Sequence, residues 1–162
     1  MNWILRFLFI SSVNFLGLTL ADDGSFDYVT CGSVIKLANQ HTDVRLHSHA
    51  VKYGSGSGQQ SVTGTKQKED VNSYWIIKGL PEVSCARERI KCGSKLRLEH
   101  LETKKNLHSH LFKSPITSNQ EISAFGDAEG EGDTGDYWVL TCSDDYWMKD
   151  TPVKFKHIDT NA

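Results

Sequence analysis

The chain lacks a cluster of basic residues, although 18 of its 162 residues are lysine or arginine. These residues are scattered, as at Lys66, Lys68 and Lys104-Lys105, and the formal net charge is −2. Binding to nucleic acid needs a concentrated basic surface that pairs with phosphates. The sequence therefore predicts no nucleic-acid partner.

A long apolar run is also missing after the first 21 residues, so we predict no membrane span in the remainder. Residues 1–21 carry a single charge, Arg6, and are otherwise largely apolar. They end in Thr19-Leu20-Ala21, which places small residues where signal peptides are cleaved. We predict a secretory signal peptide over residues 1–21, with a retained signal anchor as the alternative.

The sequence does contain a tandem repeat. Leu-His-Ser-His occurs at residues 46–49 and again at 107–110, which is 61 residues later. Cys-Gly-Ser at 31–33 recurs at 92–94 with the same spacing, and Leu37 recurs as Leu98. Repetition at a fixed period indicates one structural unit that is copied along the chain.

Each copy contains four short apolar stretches that are separated by turn residues. We predict strands over 34–37, 44–49, 61–63 and 74–77, and again over 96–98, 106–110, 122–125 and 137–140. Gly54–Gly58 is predicted to be a loop, and Gly64 and Gly126 are predicted to end the third strands. The fold class is therefore all-β. Three such units around a pseudo-threefold axis would form a β-trefoil, in which the Trp and Leu residues share one core.

The repeats divide the chain into 29–84, 89–142 and a third unit that begins at 147–162. Val153–Thr160 parallels Leu96–Thr103, and the sequence ends at Ala162. We therefore expect the third lobe of the trefoil to be incomplete.

The chain has no C-x-x-C spacing, which argues against a thioredoxin-like redox site. Its four cysteines all follow the predicted signal peptide, and an even number in a secreted chain suggests disulfides, with three possible connectivities. Cys31 and Cys92 begin the two units, whereas Cys85 and Cys142 follow the aromatic pair of each unit. From this equivalence we predict a Cys85–Cys142 disulfide, with Cys31 and Cys92 free and buried or paired elsewhere.

The repeated His-x-His motifs supply the candidate functional residues. On a strand, His47 and His49 share one face, as do His108 and His110, so each pair could offer two metal ligands. Further ligands are not evident, because the two pairs belong to different lobes, and we predict no metal site. We expect these rings to hydrogen-bond to the turns of their own repeat, or to form a partner or glycan surface together with Tyr74 and Tyr137. Because nothing orders Ser, His and Asp into a triad, we predict no catalytic residue and no cofactor.

Several strings together resemble the stromal cell-derived factor 2 family. They are Cys31–Leu37, Arg45–His49, Gly54–Gly64, Asn72–Trp75, Asn119–Gly126 and Phe155–His157. Members are proteins of the endoplasmic reticulum lumen that are built from three MIR repeats, a repeat shared with protein O-mannosyltransferases and with the inositol-trisphosphate and ryanodine receptors. The resemblance covers residues 29–160, so that 29–84 and 89–142 correspond to MIR repeats 1 and 2, and 147–162 to the start of repeat 3.

The resemblance implies a β-trefoil without known catalysis. It also implies a role in protein quality control of the endoplasmic reticulum, in complex with a luminal J-domain co-chaperone, the chaperone machinery and unfolded client proteins. The expected location is the endoplasmic reticulum lumen or outside the cell. Lectin-like binding of mannose or other glycans is the alternative, and a glycan-modifying enzyme is a third hypothesis that no motif supports.

Overall fold

The structure is a computed structural model that describes residues 27–162, and the predicted signal peptide lies outside the described residues. The described part contains nine strands: β1 Val34–Ile35, β2 Arg45–Lys52, β3 Gln60–Thr65, β4 Trp75–Lys78, β5 Lys95–His100, β6 Asn106–Lys113, β7 Gln120–Phe125, β8 Trp138–Thr141 and β9 Lys154–His157. Short 3-10 turns at Val71–Ser73 and Thr134–Asp136 precede β4 and β8. Within residues 27–162, none of the helical segments has the length and hydropathy of a membrane span.

Both complete units follow the same plan. The second and third strands form a hairpin, in which Ser48 lies opposite Val62 and Ser109 lies opposite Ile122. The fourth strand then returns antiparallel to the first, as in the pairs β1–β4 and β5–β8. The repeated sequence thus builds a repeated arrangement of strands.

Two strand pairs join the units to each other. β4 of unit 1 pairs antiparallel with β5 of unit 2, and β3 pairs with β7 through Gln60–Ala124 and Ser61–Ser123. β8 pairs in the same way with β9, the first strand of the third unit. The result is a curled antiparallel sheet, which confirms the all-β, β-trefoil fold that the repeats predict.

The core lies where the inward faces of the strands meet. Alternation along each strand sends every second side chain inward, so that Ile77 and Leu98 are 0% exposed. The buried set also includes the tryptophans and leucines that the repeat predicts: Trp75, Leu96, Leu107, Trp138 and Leu140. Trp147 is buried with them.

Two buried histidines fix the joints between units. His100 packs against Trp75 in a tilted arrangement with ring centroids 5.0 Å apart, and its Nε2 lies 2.9 Å from the carbonyl oxygen of Asn72. His157 repeats this arrangement on Trp138 at 4.8 Å, with its Nε2 2.9 Å from the Gly135 oxygen. Each ring therefore ties the first strand of one unit to the 3-10 turn of the unit before it.

The structure pairs Cys31 with Cys85 and Cys92 with Cys142, so the predicted Cys85–Cys142 disulfide is wrong and no cysteine in residues 27–162 is free. The physical reason is the antiparallel pairing of strands one and four within a unit. It brings the start of the unit beside its end, with Cα atoms 5.6 and 5.4 Å apart in the two disulfides. Equivalent cysteines of different units lie in different lobes.

One strand boundary also differs from the prediction. Gly64 lies inside β3, opposite Leu46, and does not end the strand. The side chain of Val44 packs where a Cβ of residue 64 would stand, at 2.3 Å. Glycine is needed at this position for close packing within a strand, whereas Gly126 does follow the end of β7.

We expect removal of either disulfide to destabilise the fold by a similar amount. The two bridges span 54 and 50 residues, and closing loops of this size contributes about 2–4 kcal/mol. Urea unfolding of Cys31→Ser/Cys85→Ser and of Cys92→Ser/Cys142→Ser will measure both losses. Non-reducing peptide mapping is the check on connectivity, and a peptide that links Cys85 to Cys142 would contradict the structure.

Candidate functional site

The two His-x-His motifs lie on β2 and β6, each beside the 3-10 turn of its own unit. A tryptophan of the same unit anchors each strand. The indole Nε1 of Trp75 donates to the Leu46 oxygen at 3.1 Å, and that of Trp138 donates to the Leu107 oxygen at 2.8 Å. The residue that follows, His47 or His108, is thereby held against the turn.

In unit 1 the two histidines form a chain with one carboxylate. His47 Nδ1 lies 2.7 Å from Asp70 Oδ2, and His47 Nε2 lies 2.9 Å from His49 Nδ1. Because the Asp70 carboxylate accepts from Nδ1, a neutral His47 accepts at Nε2 and His49 Nδ1 must donate. This assignment leaves Nε2 of the half-buried His49 without a hydrogen-bond partner among residues 27–162.

The carboxylate of unit 1 is held in its charged form. Burial acts to raise the pKa of Asp70, but hydrogen bonds from Ser73 Oγ, at 2.5 Å, and from His47 outweigh it. The pKa of Asp70 therefore lies below its ordinary value. A stable negative charge favours the tautomer of His47 that carries its proton on Nδ1.

Unit 2 places two carboxylates on one imidazole. His108 Nδ1 lies 2.9 Å from Asp136 Oδ1 and 3.6 Å from Asp133 Oδ1. Asp136 is fully buried and also accepts from the backbone N–H of Asp133 at 3.0 Å and from Asn106 Nδ2 at 3.3 Å. Burial raises the pKa of Asp136 above its ordinary value, although the contact with His108 opposes this shift.

His110 contacts a different carboxylate from those that contact His108. Its Nε2 lies 3.2 Å from Oε1 of Glu121, a buried residue of β7. Glu121 also accepts from the hydroxyl and backbone N–H of Ser57, in the Gly54–Gly58 loop of unit 1. A Cβ at Gly56 would stand 2.1 Å from Glu121 Oε2, so glycine allows the loop to approach this closely. Glu121 thus connects the second His-x-His pair to the first unit.

Protonation of the buried His100 and the half-buried His110 should destabilise the fold. Burial lowers the pKa of both His100 and His110 below the ordinary value of 6.5, and the charge of His108 adds to the effect at His110. As the pH falls, these histidines are protonated in the unfolded chain at a higher pH than in the folded chain. Their contribution to the free energy of unfolding is therefore fully present well above pH 6.5 and is lost as the pH drops below it.

Urea unfolding at pH 7.5 and pH 5.5 will measure this loss. His110→Gln should reduce the difference between the two pH values, because the variant lacks one of the two rings. His41→Gln, which changes an exposed histidine, is the matched control and should leave the difference unchanged. An unchanged difference in His110→Gln would contradict the assignment.

The cluster of unit 2 has the donor atoms of a possible metal site. His108, Asp133 and Asp136 form the only group in residues 27–162 that brings three ligand atoms within 4.8 Å of one another. Asp133 Oδ1 accepts from the N–H of Gly135 at 2.8 Å, and His108 already shares its proton with Asp136. These contacts satisfy the three side chains from within the chain, as in a capped 3-10 turn.

Tyr74 and Tyr137 lie apart from the histidine clusters. Lys36 Nζ is 4.3 Å from the centroid of the Tyr74 ring, and the backbone carbonyl oxygen of Tyr137 accepts from the N–H of Ile158 at 3.1 Å. Both tyrosines are half-buried and precede a core tryptophan. The structure therefore brings together His47 with His49, and His108 with His110, but not the tyrosines with either pair. Cys85 and Cys142 belong to two separate disulfides.

Sequence reasoning missed the acidic partners Asp70, Asp136 and Glu121. A signal was present for the first two, because Asp-x-x-Ser at 70–73 and Asp-x-x-Asp at 133–136 both precede a Tyr-Trp pair. Glu121 had no such signal, since its place in the first unit is taken by Ser61. Its role depends on the pairing of β3 with β7 between units.

The model of the MIR domain family matches residues 27–162. The chain is 56% identical to human stromal cell-derived factor 2 over 139 residues, which is 85% of this chain and 65% of the relative. The crystal structure of the SDF2-like protein from Arabidopsis thaliana superposes with a TM-score of 0.79 at 50% identity, over 83% of this chain and 75% of the other.

This chain belongs to the stromal cell-derived factor 2 family of MIR-domain proteins. It also resembles the Saccharomyces cerevisiae protein O-mannosyltransferase Pmt1-Pmt2 complex bound to the sugar donor, with a TM-score of 0.74 and 29% identity over 83% of this chain and 20% of that one. The chain spans less than two thirds of the length of the human relative. The resemblance read from the repeats is confirmed.

Proposed function

We propose that this chain is a non-catalytic interaction protein of endoplasmic reticulum quality control. In this role it is a partner of a luminal chaperone complex, binding a J-domain co-chaperone and unfolded client proteins. Family membership supports this proposal, as does a rigid sheet that carries its loops and hairpins outward.

The observation that carries the proposal is an apolar tip on the β6–β7 hairpin. Leu111 and Ile116 are 85% and 92% exposed, and Phe112, which packs against His110, is 58% exposed. Several large, exposed apolar side chains on one hairpin favour a site of protein interaction. Val51 holds the place of Phe112 on the β2–β3 hairpin and is also exposed, at 52%, so both hairpins offer apolar contacts.

The compartment is proposed from the covalent structure. Both pairs of cysteines form disulfides, and such bonds persist in oxidising compartments. This supports the endoplasmic reticulum lumen or the extracellular space. A non-catalytic role is supported by His108, Asp133 and Asp136, which contact one another and the 3-10 turn.

The test compares two double variants of the full chain. Leu111→Ser/Ile116→Ser removes the apolar tip, and Val34→Ser/Val71→Ser removes two exposed apolar side chains elsewhere. Light scattering will measure how each protein suppresses the aggregation of a reduced, denatured client, and co-precipitation will measure binding of the J-domain co-chaperone. We expect both activities to fall only in the tip variant. Equal behaviour of the tip variant and the unchanged chain would refute the role of the tip.

Lectin-like binding of mannose or other glycans is a second candidate. The yeast mannosyltransferase complex that shares this fold is bound to a sugar donor, and half-buried His49 leaves a ring nitrogen free to accept from a sugar hydroxyl. A glycan array probed with the unchanged chain and with His49→Ala tests it. A signal that is absent, or that His49→Ala retains in full, would dispose of this candidate.

A further inference from the structure

A pocket lies beside the Cys31–Cys85 disulfide at the end of β4. Its volume is about 610 Å³, it is open to solvent, and it is lined by Thr30–Ser33, the end of β4 and the loop Gly79–Arg87. It is remote in sequence from both His-x-His motifs, and neither motif lines it. The function proposed above makes no use of this pocket.

The loop that forms the pocket is specific to the first unit. Cys85 follows Trp75 by ten residues, whereas Cys142 follows Trp138 by only four, so the first unit has six more residues at this place. Gly79 starts the insertion and packs directly on the disulfide, because a Cβ there would stand 2.7 Å from Cys85 Sγ. The carbonyl oxygen of Gly79 accepts from Arg97 Nε at 3.0 Å.

Arg97 is a buried cation without a carboxylate partner. It is only 8% exposed and lies opposite Lys78, on the outer face of the β4–β5 pair. The nearest carboxylate along its strand, Glu99, is taken by Lys78 Nζ at 2.8 Å. No acidic side chain of residues 27–162 comes within the 4.0 Å of an ion pair with Arg97. A buried charge of this kind is unfavourable until a counter-charge reaches it.

The lining of the pocket combines positive charge with apolar surface. Lys78, Arg87 and Arg97 line it, and no aspartate or glutamate of residues 27–162 does. Glu82 belongs to the same loop but is exposed and lies outside the lining. Leu80 and Val83 add aliphatic surface. The pocket therefore complements a negative group that is attached to aliphatic side chains.

The second unit provides an internal contrast. Thr141 and Lys154 lie opposite each other where the first unit has Lys78 and Arg97, and Lys154 is exposed. The smaller pocket beside Cys92–Cys142 is lined by Lys91 together with Asp144 and Asp145. A buried cation at this position, in a pocket without a lining carboxylate, is thus a property of the first unit and not of the repeat.

We propose that this pocket binds a peptide segment through a carboxylate, with Arg97 as the main contact. The guanidinium makes two parallel hydrogen bonds to the carboxylate, Arg87 adds a positive charge at the rim, and the aliphatic neighbours of the carboxylate pack on Leu80 and Val83. A free phosphate would satisfy the arginine but would leave the aliphatic surface uncovered. The inference stands on the pocket alone and does not depend on the function proposed above.

The test uses the full chain with both disulfides formed and three fluorescein-labelled hexapeptides. The first is Gly-Ser-Ala-Val-Leu-Val with a free C-terminal carboxylate, the second is its C-terminal amide, and the third is an amide with Glu in place of Leu. Fluorescence polarisation measures each Kd, and inorganic phosphate is added as a competitor. Arg97→Gln and the exposed Arg87→Gln test the pocket, and Lys154→Gln is the matched control. Thermal unfolding reports whether each variant is folded.

We expect the first peptide, the third, or both to bind, and the second to bind at least about tenfold more weakly. Binding of the first alone identifies a terminal carboxylate, and binding of the third identifies a side-chain carboxylate. Arg97→Gln should raise Kd about tenfold, Arg87→Gln should raise it severalfold, and Lys154→Gln should leave it within about twofold. Equal binding of all three peptides, no binding of any, or unchanged Kd in folded Arg97→Gln or Arg87→Gln would overturn the proposal. Binding of phosphate without binding of either carboxylate peptide would overturn it as well.

Discussion

Replacing Asp136 with alanine should destabilise this protein by about 3–5 kcal/mol, because the change breaks a buried carboxylate–imidazole pair and the hydrogen-bond network around it. Asp136 is fully buried and accepts from His108 Nδ1, from Asn106 Nδ2 and from the backbone N–H of Asp133. Without the carboxylate, the backbone N–H of Asp133 and the imidazole of His108 lose their buried acceptor. Thermal unfolding should show a fall in Tm on the order of 10 °C.

Asp133 provides the matched control, since its carboxylate faces the same imidazole nitrogen. Its side chain is 59% exposed, it lies 3.6 Å from His108 Nδ1, and it caps the N–H of Gly135. Loss of a cap at an exposed position costs about 1 kcal/mol. If Asp133→Ala and Asp136→Ala lowered Tm equally, the buried pair would not be the source of the stability.

The two copies of the His-x-His motif have the same sequence but differ in the carboxylate that contacts the first histidine. His47 and His108 occupy equivalent places, but the position of Ser73 in the first unit is Asp136 in the second. A hydroxyl at this position supports Asp70 as the partner of His47. In the second unit the carboxylate at this position, Asp136, is itself the partner of the His108 imidazole, and Asp133 is exposed to solvent. The substitution is visible in the sequence, but its effect depends on a burial that only the fold reveals.

The β architecture could be predicted because it depends on patterns that lie close together along the chain. A fixed repeat, alternating apolar residues and turn residues were sufficient to place all eight strands of the two complete units, with errors of up to three residues at their ends. The prediction that Gly64 ends a strand was the largest error inside a strand. Glycine is present there because the side chain of Val44 packs against it, and the chain does not turn at this position. Local pattern does not report such a contact.

The disulfides and the acidic partners could not be predicted because they depend on strand pairing across long separations. The equivalence of Cys85 and Cys142 suggested that they pair, but equivalent positions in a trefoil are rotated away from each other. Glu121 reaches Ser57 of the other unit only because β3 and β7 are neighbours. Arg97 was not singled out, since a lone arginine on a strand has no signal until the loop before Cys85 is seen to cover it.

Truncation of Trp75 to alanine should also destabilise the fold by about 3–5 kcal/mol, through lost burial and the cavity that remains. The side chain is 0% exposed, packs against His100 and donates from Nε1 to the oxygen of Leu46. Its removal loosens both the joint between the units and the strand that carries His47. Urea unfolding will measure the loss of stability, and the histidine signals in NMR spectra will show whether His47 still contacts Asp70.

Trp75→Phe separates the two contributions of the indole. Phenylalanine keeps most of the apolar volume but cannot donate to Leu46, so the loss should fall to about 1–3 kcal/mol while the His47–Asp70 contact still loosens. Tyr74→Ala is the control, because that ring is half-buried against Lys36 and lies outside the core. A loss in Tyr74→Ala as large as that in Trp75→Ala, or an unchanged His47 signal in both tryptophan variants, would show that the indole does not hold β2 in place. We would then also abandon the same role for the equivalent contact of unit 2, in which Trp138 donates to Leu107 on β6.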